Sequence, residues 1–93
     1  MTVFAVNYKY SDDLDAIGAI RPAHREWSAE QVNAGALLAS GPLPDSNSAL
    51  LIFESQSLEE LIALLNTDPF DIAGLIDERA VQQWNPVFGP WSN

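Results

Sequence analysis

One histidine, His24, stands in this 93-residue chain, and there is no cysteine. Without cysteine there is no disulfide, no thiolate metal site and no thiol nucleophile. A single imidazole leaves general acid–base catalysis as the chemistry to look for, because histidine changes charge near neutral pH and proton transfer needs such a group. A lone histidine beside an apolar stripe is also a common packing residue, and both readings of His24 stand at this point. A carboxylate that oriented the ring would favour the first. Asp68 is the candidate, in "NTDPFDIAG", residues 66–74, directly before Pro69. Asp is a preferred N-cap and Pro a preferred first helical residue, so starting a short helical turn is a sufficient local purpose for Asp68. The two purposes are compatible, since a carboxylate has a second oxygen and capacity for several donors. A bond to the imidazole would fix its tautomer and stabilise its cation.

Two further side chains are candidates for contact with a substrate. Arg21 precedes His24 by three residues and so lies on the same side of a helix, where its guanidinium can attract a carboxylate or form a surface ion pair worth little. Ser40, in "ASGPL", lacks the G-x-S-x-G context of a serine nucleophile, and a serine before Gly-Pro most often serves a turn. Arg25 and Arg79 read as surface partners for the many acids, and Trp27 and Trp84 as core or interface before pocket wall. No D-x-[DN]-x-[DN]-G or H-E-x-x-H spacing occurs, so no metal or other cofactor is expected.

The elements that must position these residues are legible from periodicity. "TVFAVNYKY" alternates, with Phe4, Val6, Tyr8 and Tyr10 on one face of a strand. "SDDLDAIGAI" reads as a polar turn, and Pro22 as the first residue of a helix running to Asn33 and stopped by Gly35. On that helix Ala23, Trp27 and Ala34 form the apolar stripe, with His24 at its border beside Ser28 and Gln31. "ALLASGPL" reads as a strand breaking at Gly41-Pro42, and "ALLIFE", residues 49–54, as its hairpin partner across the turn cluster "PDSNS". Ser57 and Glu60 make a capping box for a helix carrying Leu58, Leu61, Ile62 and Leu65 on one face. A last strand is expected near residues 77–85, and the tail keeps Val87, Phe88 and Trp91, which suggests docking across a subunit interface. The order β-α-β-β-α-β is the ferredoxin-like α+β pattern, with both helices on one face of a mostly antiparallel sheet.

Length and charge bound the rest. Ninety-three residues, 47 % hydrophobic, fit one domain with a proper core. Four basic residues against thirteen acidic give a net charge of −9, which opposes the counterion-release term behind nucleic-acid binding, so nucleic acid and anionic membranes are excluded as expected partners. No apolar run approaches the ~20 residues that span a bilayer, no secretory leader is visible, and a reducing cytoplasm is the expected compartment.

Taken in order, "VFAVNY", "RPAHREW", "GALLASGPL" and "DPFDIAGL" followed by Trp84 resemble the YciI-like (YCII-related) family over nearly the whole chain. The resemblance implies a single YciI-like domain over residues 1–93, a ferredoxin-like fold paired into a dimeric α+β barrel, and a His-Asp pair as catalytic centre. It carries the histidine onto His24 and the aspartate onto Asp68, and places Ser40 near the pocket. The resulting expectation is a homodimeric enzyme acting by acid–base chemistry, elimination or isomerisation, on a small molecule. The alternative is a non-catalytic dimeric module whose pocket holds a small ligand.

Overall fold

The computed structural model describes residues 1–92. The elements are β1 (Thr2–Tyr10), α1 (Leu14–Asn33), β2 (Leu37–Leu43), β3 (Ser48–Ser55), α2 (Leu58–Leu65), α3 (Pro69–Ile72) and β4 (Ile76–Gln83). The four strands form one sheet in the order β2-β3-β1-β4, with every neighbouring pair antiparallel. This is the ferredoxin-like α+β arrangement, with the short α3 added between α2 and β4. The alternation of β1 sends Phe4, Val6 and Tyr8 into the core with Leu51, Phe53, Trp27, Leu61 and Leu65. Phe4 pairs with Phe53 and Val6 with Leu51 across the β1–β3 ladder, so this face is apolar on both strands.

The long helix departs from the expected one. It begins at Leu14, eight residues before Pro22, and Asp13 caps it by accepting from the Ala16 N–H at 3.1 Å. Pro22 lies inside the helix. It has no N–H for the Gly18 carbonyl, but Gly18 and Pro22 are both exposed, so that carbonyl is open to solvent and its lost bond is tolerated there. The upstream turns are held by Ile17, buried in a second cluster with Phe70 and Leu75. The added turns bring Ile17 onto the inward face with Trp27, while Ala23 and Ala34 of the expected stripe are exposed. His24, with its side chain 15 % exposed, stays at the border of the packed face as expected, but lies well inside the helix and not in its first turn. Gly35 ends the helix with φ +82°, and the Ala36 N–H reaches back to the Gln31 carbonyl at 2.9 Å, the bond of a Schellman stop.

Strand β2 does not break at Gly41-Pro42 but continues to Leu43. It is an edge strand, where the N–H that proline lacks can be dispensed with on the solvent side. The hairpin turn to β3 places Asp45 and Asn47 at positive φ, a backbone region these residue types tolerate. Helix α2 is capped as the Ser57/Glu60 spacing predicts, the Ser57 hydroxyl accepting from the Glu60 N–H at 3.1 Å. Leu61 and Leu65 are fully buried, whereas Leu58 is half exposed. Both long helices cover one side of the sheet. The other side carries Leu43, Leu50 and Ile52, beside which Trp84 and Trp91 of the tail meet edge to face at 6.3 Å.

Candidate active site

Asp68 is the only charged side chain among the described residues that is wholly buried. It sits at the joint between α2 and α3, and the chain turns there because Asp68, in extended conformation, caps the short helix opened by Pro69. Its Oδ1 accepts from the Phe70 N–H at 3.0 Å and lies 2.9 Å from Nδ1 of His24. Its Oδ2 accepts from the Tyr8 hydroxyl at 3.1 Å. The cap and the partner of the imidazole are thus one carboxylate. Three donors converge on it from β1, α1 and α3, which is what a buried charge requires.

The imidazole is held as firmly by its faces as by its edge. Phe70 stacks on it at a centroid distance of 4.4 Å, and Trp27 lies 6.1 Å away on the same helix. The Trp27 indole N–H donates to the Thr67 hydroxyl at 2.9 Å, and that hydroxyl donates to the Leu64 carbonyl at 2.6 Å. Helix α1 is thereby tied to the residue before Asp68, so the two halves of the pair share one anchorage. With Nδ1 engaged by Asp68, the other ring nitrogen, Nε2, is left toward Ser28, whose hydroxyl is 3.4 Å away. His24 and Ser28 both line a half-open cavity of about 470 Å³, within the ~300–1,000 Å³ of small-molecule sites.

Helix α1 forms one wall of this cavity with Arg21, His24 and Arg25; Ser40 and Pro42 of β2 form the opposite one. Of the residues singled out in the sequence, His24 and Asp68 are in direct contact, and Arg21 and Ser40 reach the same cavity without touching the pair. Both tyrosines of β1 stay protonated well past neutrality. Burial above all, then the charge and hydrogen bond of Asp68, pushes the Tyr8 phenol far up. Burial, then Asp68, raises Tyr10 to about 12, with Arg21 opposing. Tyr8 is accordingly a donor to Asp68 at any ordinary pH.

Tyr8 as a partner of Asp68 and Arg25 as a cavity-lining residue are not among the site residues the sequence points to. The signal for Tyr8 was a hydroxyl on an otherwise apolar inward stripe, which demands a buried partner. Of the two arginines expected to pair with surface acids, Arg79 does so, with Asp71 at 3.2 Å, while Arg25 has no ion pair among the described residues and lines the cavity. Its spacing of four from Arg21 placed it on the same helical side.

A four-stranded antiparallel sheet with helices on one side, and a buried carboxylate in contact with the one imidazole beside a cavity, define the class as ferredoxin-like α+β domains. The chain belongs to the YCII-related domain family, which matches residues 1–85. It is 32 % identical to Protein YciI of Escherichia coli O6:H1 over 88 aligned residues, covering 84 % of this chain and 90 % of that one; the same figures hold for Protein YciI of Shigella flexneri. Among solved structures it is similar to 5-chloro-2-hydroxyhydroquinone dehydrochlorinase from Burkholderia phenoliruptrix AC1100, in complex with 2,5-dihydroxybenzoquinone. That similarity has a TM-score of 0.77 and 25 % identity, over 89 % of this chain and 93 % of the other. A NIPSNAP domain protein from Burkholderia xenovorans shares the fold, with a TM-score of 0.60 at 14 % identity over 97 % of this chain and 99 % of its own.

Proposed function

We propose that this chain is a small-molecule enzyme in which His24 is the general acid–base and Asp68 its positioning partner, acting by elimination or isomerisation. The observation that carries the reading is the 2.9 Å contact between Nδ1 of His24 and the buried Oδ1 of Asp68. In the resting state Nδ1–H donates to Asp68 and the lone pair of Nε2 is available on the cavity side. Nε2 takes a proton from a substrate carbon or hydroxyl, and the carboxylate stabilises the imidazolium that forms. In an elimination the C–H electron pair becomes the new double bond and a leaving group departs from the adjacent carbon. In an isomerisation the same proton returns to a different carbon. Arg21 and Ser40 serve as substrate contacts on opposite walls. The dehydrochlorinase neighbour supports the first branch, since the reaction in its name is an elimination.

The test is proton exchange. Small phenols and keto acids, with 5-chloro-2-hydroxyhydroquinone among the phenols, are incubated in D2O and followed by NMR for deuterium entry or loss of a leaving group. His24→Gln is expected to abolish the reaction while leaving ligand affinity within a few-fold. Loss of affinity with no turnover in the wild type would instead assign the non-catalytic binding module, the rival reading.

The protein is also proposed to act as a homodimer, the open sheet faces of two copies closing an α+β barrel. Leu43, Leu50 and Trp84 are 38 %, 36 % and 40 % exposed on or beside that face, and Phe88 of the tail is 93 % exposed, an apolar surface that a second copy would cover. Sedimentation at micromolar concentration is expected to give a dimer mass, and Leu50→Glu a monomer; a monomeric wild type removes the proposal.

A further inference from the structure

The cavity has a charge that the chain as a whole does not. With thirteen acids and four cations the surface is strongly acidic, yet two of the four cations, Arg21 and Arg25, line this cavity. No Asp or Glu is among the residues lining it, and within the described residues neither arginine is part of an ion pair. Two unpaired guanidinium groups one helical turn apart and flanking His24 outnumber the one carboxylate in contact with the imidazole, the buried Asp68, and leave a local excess of positive charge at the mouth of the site.

Resting on the acid–base reading of His24, we infer that Arg21 and Arg25 form the subsite for the carboxylate of a small organic acid, whose reacting carbon then lies inward, toward Nε2. The spacing sets the orientation. Arg21 stands one turn before His24 and Arg25 next after it, so an anion bridging them is held at the solvent rim while the body of the molecule extends between Ser28 and the β2 wall. Guanidinium groups suit this task because their planar forks match a carboxylate. The negative charge of such a substrate is attracted to this mouth and repelled by the remaining surface, which favours productive encounter. A neutral molecule of the same shape gains neither effect. Arg25 is therefore a specificity residue of the site.

The experiment compares two probes of one shape, 2,5-dihydroxybenzoate and 2,5-dihydroxybenzamide, with binding followed through the ring resonances of the sole histidine. The wild type is expected to bind the carboxylate about tenfold or more tighter than the amide, in keeping with charge-assisted bonds, and raised salt is expected to narrow that gap. Arg25→Gln should weaken the carboxylate several-fold and leave the amide unchanged, Arg25→Lys should restore part of the loss, and Arg21→Gln/Arg25→Gln should erase the preference. Both arginines are exposed, so these variants keep the fold. Equal affinity for the two probes, an equal effect of Arg25→Gln on both, or no binding of either at millimolar concentration overturns the inference. Failure of the acid–base reading looks different: the carboxylate preference would persist and depend on the arginines, while His24→Gln left proton exchange intact.

Discussion

Tyr8→Phe removes one oxygen from the centre of the site and nothing else. Tyr8 and Asp68 are both fully buried, and the Tyr8 hydroxyl is the donor on Oδ2, while Oδ1 is served by Phe70 and His24. Phenylalanine preserves the ring and its edge-on contact with Tyr10 at 6.1 Å, so no cavity of consequence opens. What remains is a buried carboxylate oxygen with no partner. A hydrogen bond to a charged group contributes ~1.5–3 kcal/mol and an orphaned buried acceptor costs ~1–3 kcal/mol, so a destabilisation of about 2 kcal/mol is expected. That is a large part of the ~5–15 kcal/mol typical of a domain. At this chain length it corresponds to a fall in Tm of about 8–16 °C. The assay is urea unfolding followed by tryptophan fluorescence, with Tyr10→Phe, one pleat further along β1 at the cavity wall, as the control; the slope m should not change. The contact between His24 Nδ1 and Oδ1 should persist, visible as unchanged ring nitrogen shifts, because it does not involve Tyr8. A Tyr8→Phe variant no less stable than Tyr10→Phe would refute the claim that the carboxylate depends on this donor.

The same structure sets further expectations. Both phenols hold their protons more tightly when folded than in the unfolded chain, which releases them near pH 10; the stability they contribute is therefore fully present below that pH and is lost as pH rises toward 12 and beyond, the value to which Tyr10 is raised. Urea midpoints measured from pH 7 to 12 should show that decline, Tyr8→Phe should flatten it, and a midpoint steady or rising above pH 10 would contradict it. Trp27→Phe removes the indole bond to Thr67 that anchors the Asp68 joint, and a loss of about 1–2 kcal/mol is expected, measured by thermal unfolding. Gly74 follows α3 at φ +71° with open space where a Cβ would be, so Gly74→Ala should cost about 1–2 kcal/mol through backbone conformation alone. A neutral effect would mean that the turn relaxes. Asp68→Asn keeps an acceptor for Phe70 and His24 but not the charge facing the imidazolium, and a loss in kcat of roughly 10²–10⁴-fold is expected once a substrate is in hand.

What the sequence determined by itself is what short-range physics controls. The two-residue period of β1, the Ser57/Glu60 cap, the glycine stop at Gly35 and the Asp-Pro start of α3 are each decided within a few residues, because side-chain alternation, capping bonds and positive φ are local properties. His24 was legible as the one imidazole and Asp68 as a cap before proline, while their pairing was implied by the resemblance of "RPAHREW" and "DPFDIAGL" to the family. Local rules failed where tertiary contact outweighs them. Pro22 signals a helix start, but the burial of Ile17 against Phe70 and Leu75 carries the helix through it; Gly41-Pro42 signals a break, but an edge strand has no use for the missing N–H on its outer side. Whether Asp68 merely capped a helix or also held the imidazole lay beyond any sequence window. His24 and Asp68 are 44 residues apart, and only the packing of α1 across the sheet, locked by Trp27 on Thr67 and by Tyr8 beneath the carboxylate, brings Nδ1 within 2.9 Å of Oδ1.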